Sequence, residues 1–275
     1  MIENGNQLKG YIQRETNKYK INSNYGYNYY FTRAFLEKLY NNISMKLVLK
    51  GSYSQFIRLG KIERPLTDID IITFNRIEEA KEQIDKIIIN NNNDDDIKFK
   101  IINQFTTTNA TLNYKILCDF DGKTGRISID LKREEQLDYS ASSVPLLFAE
   151  DKNFNTQSIS IEERLASKLY VVLLHLKLYT ILSREFRRLK DFFDIHTILG
   201  SSKIDEYKVF EILERKIKQD EFLRDYDLQG PLFKHSFIET NKNNWEIDKK
   251  KYQFLTPTTI NEAIDVTNDF ISKKR

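Results

Sequence analysis

The chain has 275 residues, of which 40% are hydrophobic and 12% aromatic, enough apolar material for a sizeable core, so disorder over most of its length is excluded. Forty-three Lys plus Arg against 40 Asp plus Glu leave a formal charge of +3, too balanced for a histone-like electrostatic binder. A single cysteine, Cys118, excludes an intramolecular disulfide, and three histidines make His-rich metal chemistry a poor fit.

Residues 1–20 are polar and lack the apolar stretch of a signal peptide. Tyr30, Phe31, Ala34, Phe35 and Leu39 recur at helical spacing and predict an amphipathic helix over 28–42. Met45–Leu49 reads as a short buried strand running into Lys50-Gly51-Ser52, with a short helix over 53–59 and a turn at Arg64-Pro65. A second strand covers Ile69–Phe74. Asn75 followed by Glu78 matches a capping box and opens a helix to Ile89, after which Asn90–Asp96 reads as a solvated loop.

The pattern then turns to strands over 97–104, 110–120 and 126–133, the last two joined by a turn at Asp121–Gly125. From Ser160 it is helical. Ser160 with Glu163 forms a capping box for a helix to Leu182, and further helices are expected over 184–199 and 204–219. Thr256-Pro257 is expected to open a last helix with Pro at its first position. The most apolar stretch, Leu169–Leu182, is interrupted by His175 and Lys177 and falls short of the about 20 residues a bilayer requires. These features predict a cytoplasmic protein with no membrane span. Its expected organisation is an α+β domain over 1–155 and a helical domain over 156–275 that completes an active-site cleft.

Three features stand at strand ends in order: Gly51-Ser52, Asp68-Ile69-Asp70, and Asp130 within Ile127–Leu131. Residues i and i+2 of a strand share a face, so Asp68 and Asp70 aim two carboxylates at one point. Asp130, between apolar neighbours, requires a cation or hydrogen bonds to offset several kcal/mol of desolvation. Three converging carboxylates suit Mg²⁺, which retains waters and substrate phosphates in its remaining positions. The plainer alternatives are a turn carboxylate at Asp68, a strand-edge charge at Asp70, an ion pair of Asp130 with Arg126 or Lys132, and helix capping by Ser52.

A Gly-Ser turn, an Asp-x-Asp strand and a third strand acid resemble the nucleotidyltransferase superfamily of DNA polymerase β. Lys50-Gly51-Ser52, Arg64-Pro65-Leu66-Thr67-Asp68-Ile69-Asp70, the helical Lys168 and Arg188-Leu189-Lys190-Asp191-Phe192-Phe193-Asp194 narrow this. Together they are similar to the AbiEii/AbiGii-type toxin nucleotidyltransferases of type IV toxin–antitoxin and phage-abortive-infection systems. The resemblance spans about Leu47–Leu199. Two spacings differ from the commonest pattern: residues 53–67 separate Ser52 from Asp68, and Thr67 directly precedes Asp68.

The resemblance implies a polymerase β-like fold and a two-ion Mg²⁺ site at Asp68, Asp70 and Asp130. It also implies a nucleotide site drawn from Lys50, Gly51, Ser52, Thr67, Lys168 and Arg188, with Lys168 and Asp191 as further catalytic residues. The implied reaction transfers NMP from an NTP to the 3′ acceptor end of tRNA and blocks translation, and the implied partner is an antitoxin encoded nearby. Alternatives are a protein-hydroxyl or small-molecule acceptor, or a non-catalytic RNA- or partner-binding module. Arg184, Arg187, Arg188 and Lys190 form one basic cluster and Lys249–Lys251 another, each suited to phosphates or to plain solvation. Exposed Arg187–Asp191 and Lys190–Asp194 pairs are the ordinary alternative for the two acids, and His175 reads as a packing residue.

Overall fold

The computed structural model describes residues 2–66, 68–90, 96–107, 110–144, 154–182, 185–225 and 232–273. Contacts divide the chain into two compact units, Met1–Ile159 and Ser160–Arg275.

In the first unit the elements run α1 (Gly5–Tyr19), α2 (Ser23–Asn42), β1 (Leu47–Lys50), α3 (Gly51–Leu59), β2 (Asp68–Thr73) and α4 (Ile77–Ile89). They continue with β3 (Lys98–Thr106), β4 (Leu112–Phe120), β5 (Lys123–Arg133), β6 (Tyr139–Ser143) and β7 (Asn155–Ile159). The described strands form one sheet in the order β3-β4-β5-β2-β1-β7-β6. The β2–β5 and β1–β7 pairs are parallel and the remainder antiparallel. This mixed sheet with flanking helices, followed by a helical part, is the α+β architecture expected for a polymerase β-like nucleotidyltransferase.

Strand alternation decides which side of the sheet is covered. Leu112, Tyr114, Ile116, Cys118 and Phe120 of β4 are buried together with Ile127, Ile129 and Leu131 of β5. Helix α2 packs there through Phe31, Phe35, Leu36 and Leu39, with the Phe35 ring edge-on to Phe99 of β3 at 5.6 Å. The intervening positions, Asn113 and Lys115 on β4 and Ser128 and Asp130 on β5, are only half-buried on the opposite face.

The hairpin joining β4 to β5 is tighter than Asp121–Gly125. Phe120 pairs with Lys123, and Asp121 and Gly122 both take left-handed backbone (φ 46° and 74°), as a two-residue primed turn requires. Gly125 therefore lies within β5, where a Cβ would come within 2.5 Å of the Phe31 ring. The Asp121 side chain also accepts a hydrogen bond from the Gly5 amide at 2.8 Å, fixing the start of α1.

The second unit comprises α5 (Ile161–Leu182), α6 (Leu189–Ser201), α7 (Glu206–Gln219), α8 (His235–Lys251) and α9 (Ile260–Ser272) around its own core. Leu165, Leu169, Val172 and Leu173 of α5 meet Phe192 and Phe193 of α6, and the indole of Trp245 donates to the Thr258 carbonyl at 3.2 Å. No described helix is long and apolar enough to cross a membrane.

Several expected boundaries move. Helix α1, strands β6 and β7, and helix α8 were not anticipated. The cap of α4 is Arg76 rather than Asn75. Helix α6 starts at Leu189, not 184, because Phe186 is drawn into the core against Phe192 and Phe237, and it runs through Gly200 instead of stopping there. The last helix is opened by a full capping box between Thr259 and Glu262, three residues beyond Thr256. The Asn90–Asp96 loop falls mostly outside the described residues.

Candidate active site

Strand β1 turns directly into α3 at Gly51, whose φ of +69° is left-handed. A Cβ there would stand 1.7 Å from Oδ2 of Asp70, so only glycine lets this backbone approach the carboxylate so closely. The N-cap of α3 is Lys50, which has no oxygen in its side chain and makes no capping hydrogen bond. Ser52 is accordingly not the cap; it sits inside the first turn, half-buried, while Ser54 closes that turn through Oγ to the Gly51 carbonyl at 2.8 Å. An uncapped helix N-terminus attracts anions. The Lys50 ammonium is paired with Glu134.

Register aligns the acids. Lys50 of β1 faces Asp70 of β2, Asp70 faces Asp130 of β5, Asp130 faces Asn113 of β4, and Asn113 faces Phe105 of β3. One row away, Asp68, Ser128, Lys115 and Asn103 follow one another across the same strands. Directly paired residues point the same way, so Asp68, Asp70 and Asp130 share the open face of the sheet. Asp68 is exposed, and Asp70 and Asp130 are half-buried. Asn113 was missed by sequence reasoning, although its outward place in the β4 alternation was readable; its Nδ2 donates to Oδ1 of Asp130. Lys115 Nζ donates to Ser128 Oγ at 2.6 Å. Thr67 lies outside the described residues.

Among the described residues no three His, Cys, Asp or Glu side chains are gathered into a metal-holding group. The common face thus carries the three acids without a closed cage. Their chemistry nonetheless fits magnesium: hard carboxylate oxygens, with the Gly51 notch keeping side-chain carbon away from Asp70.

In the second unit a charged cluster is buried rather than solvated. Lys168 of α5 bridges Asp191 and Asp194 of α6, lying 2.7 Å from Oδ2 of Asp194. Arg164 adds a contact to the same oxygen at 3.3 Å, and Arg188 Nε stands 3.0 Å from Asp191 Oδ2. The Asp191 side chain is 0% exposed. Burial pushes its carboxyl up, but Lys168 and Arg188 outweigh burial and hold it below the usual carboxylate range. Asp191 and Asp194 therefore pair with α5 and with Arg188, in place of exposed pairs with Arg187 and Lys190. Arg187 instead meets Glu185 at 3.3 Å, and Lys190 lies over the Tyr252 ring. Arg184 is outside the described residues. Among the C-terminal lysines, Lys249 pairs with Glu246 at 3.9 Å and Lys251 lies over Tyr252. His175 packs edge-on to Phe186, and burial, with help from Arg188, lowers its pKa. Glu163, whose amide donates to the Ser160 hydroxyl at 3.0 Å, sends its carboxylate to Lys216 at 2.6 Å and Arg215 at 3.4 Å.

No curated protein matches the chain. Among solved structures, a Helicobacter pylori protein assigned as a nucleotidyltransferase is similar with a TM-score of 0.50 at 15% identity, over 88% of this chain and 93% of that one. The H. pylori protein JHP933 gives a TM-score of 0.48 at 14% identity, over 88% and 90%. The ANT(2″)-Ia enzyme in complex with adenylyl-2″-tobramycin gives 0.36 at 12% identity, over 69% and 96%. The family model for the nucleotidyl transferase AbiEii toxin of type IV toxin–antitoxin systems matches residues 36–267, a stretch that contains both the acid-bearing sheet and the buried Lys168 cluster. The chain belongs to the AbiEii nucleotidyltransferase toxin family.

Proposed function

We propose that this nucleotidyltransferase transfers NMP from an NTP to the 3′ acceptor end of tRNA, using magnesium held by Asp68, Asp70 and Asp130, and thereby blocks translation. The observation that carries the reading is the in-register row of Asp70 and Asp130, with Asp68 on the same face and the Gly51 backbone closed against Asp70. Membership of a type IV toxin–antitoxin family implies an antitoxin as partner.

The first turn of α3 receives the triphosphate. Its amides lack a side-chain cap, and the Ser52 hydroxyl adds a donor at the same helix end. Thr67, directly before Asp68, contributes a hydroxyl, and Lys50 contributes charge once it leaves Glu134 for phosphate. Asp130 orients the acceptor hydroxyl and takes its proton, with Asn113 holding Oδ1 of that carboxylate in place. Magnesium, when bound, neutralises phosphate charge and lowers the pKa of the attacking hydroxyl. The oxygen then attacks the α-phosphorus in line, the bond to the bridging oxygen breaks, and pyrophosphate leaves. Lys168, Arg188 and Asp191 act as one unit within the helical part, Asp191 fixing the positions of the two cations.

The test is incubation of the protein with labelled NTPs, magnesium and total tRNA. Label at the tRNA 3′ end, lost in Asp70→Ala, is expected. Label appearing only on protein refutes the tRNA acceptor, and unchanged cellular toxicity of Asp70→Ala refutes catalysis as the cause of toxicity.

A further inference from the structure

The acid row does not end at Asp130; it continues over β4 to the sheet edge through Asn113 and Phe105. Phe105 is 46% exposed, an aromatic ring on an edge strand where charged residues commonly guard against unwanted pairing. Ile102, the extra residue where the β3 register shifts, is 45% exposed on the same strand. The next two rows bring Lys115, and then Lys100 and Arg126, onto this face. An aromatic ring interleaved with cations, continuous with a carboxylate row, has the composition of a surface that stacks bases and tracks phosphates.

Asn113 supplies an independent observation. Its Nδ2 is committed to the Asp130 carboxylate, which fixes the orientation of the amide, because a flipped amide would oppose oxygen to oxygen. Oδ1 of Asn113 is then a buried acceptor with no hydrogen-bond partner among the described residues. A buried acceptor left unpaired costs about 1–3 kcal/mol, so this atom is suited to a donor brought by a ligand. Beside a carboxylate that receives an attacking 3′-hydroxyl, the donor at hand is the neighbouring ribose 2′-hydroxyl.

We propose that the open face of β4 and β3 seats the terminal nucleotide of a ribonucleic acceptor: Asn113 Oδ1 accepts from the 2′-hydroxyl, Phe105 stacks the base, and Lys115 meets a backbone phosphate. The assignment deepens the tRNA reading and rests on it. Phe105 stands two strand spacings, about 10 Å, from the strand of Asp130, a span that one nucleoside and its side-chain contacts can bridge. Lys115 spends one donor on Ser128, and an ammonium has three.

The experiment measures initial rates with labelled NTP against tRNA and against the same tRNA ending in 2′-deoxyribose. Phe105→Ala is expected to raise KM for tRNA about 5- to 150-fold, the usual range for losing a base–aromatic stack, with KM for NTP unchanged, and Phe105→Trp to restore it. Wild type is expected to use the deoxy-terminated acceptor at least about 5-fold less well, and Asn113→Ala to erase that preference whatever its absolute rate. A wild type that labels no RNA overturns both this proposal and the tRNA reading. Labelling of RNA with Phe105→Ala equal to wild type overturns this proposal alone, as does a deoxy discrimination that survives in Asn113→Ala. Phe105-dependent labelling or capture of a protein instead of RNA also overturns it and assigns the face to protein docking.

Discussion

Replacing Gly51 by alanine separates a backbone effect from a site effect, because a second glycine serves as its control. Both Gly51 and Gly60 have left-handed backbone, at φ +69° and +67°. Alanine in that region costs about 1–2 kcal/mol at either position. At Gly60 nothing lies within 4 Å of the new Cβ, whereas at Gly51 it falls 1.7 Å from Asp70 Oδ2, where ordinary contact begins at 3.4 Å. The carboxylate or the β1–α3 turn must therefore shift by more than about 1 Å, a displacement that commonly costs about 10²-fold in rate. Gly60→Ala should lose about 1–2 kcal/mol in urea denaturation and keep its transfer rate. Gly51→Ala should lose more stability and transfer label about 10²-fold more slowly at a temperature where both variants are folded. If the two variants match in stability and in rate, the close packing of Gly51 on Asp70 has no functional weight and the reasoning fails.

Lys168→Met removes the cation that Asp191 and Asp194 share in the core of the second unit, so denaturation should show a loss of about 3–5 kcal/mol, the usual cost of removing one member of a buried ion cluster. Because the folded pKa of Asp191 is depressed, its contribution to stability is present above the unfolded carboxylate value of about 3.9 and is lost as pH falls through the lower folded value. An acid titration of stability should accordingly show a step that Asp191→Asn diminishes. Gly125→Ala drives a Cβ to 2.5 Å from the Phe31 ring, and overpacking of this kind costs about 1–3 kcal/mol, recoverable in part by Phe31→Leu in a double-mutant cycle.

Most of the acid-bearing sheet was readable because its apolar residues keep strict periods. Ile127, Ile129 and Leu131 alternate, and β4 alternates along its whole length, which left Asn113 visible as an outward residue had β4 been read for its polar face. Strand β7 escaped because its buried positions are Thr156, Ser158 and Ile159, so hydroxyls stand where apolar residues would have signalled a strand. Helix α1 escaped for a related reason: Leu8 and Ile12 are its only large buried side chains. The cap at Thr259 carried a readable signal, Glu262 three residues on, but Thr256-Pro257 drew attention first. Spacing put Asp191 and Asp194 on one helix face. It did not identify Lys168 as their common partner, since nothing local links a position on α5 with a position on α6.

The parallel alignment of β2 with β5 also governs when a growing polypeptide can complete its row of acids. Asp68 and Asp70 leave the ribosome well before Asp130, and the strand carrying Asp130 reaches its berth beside β2 only after the β3–β4–β5 meander has been made. Pairings between such distant segments form late, after loop-closure entropy has been overcome. A chain halted before Lys123 would hold two of the three aspartates and no strand to bring the third, and so would lack the proposed set of acids.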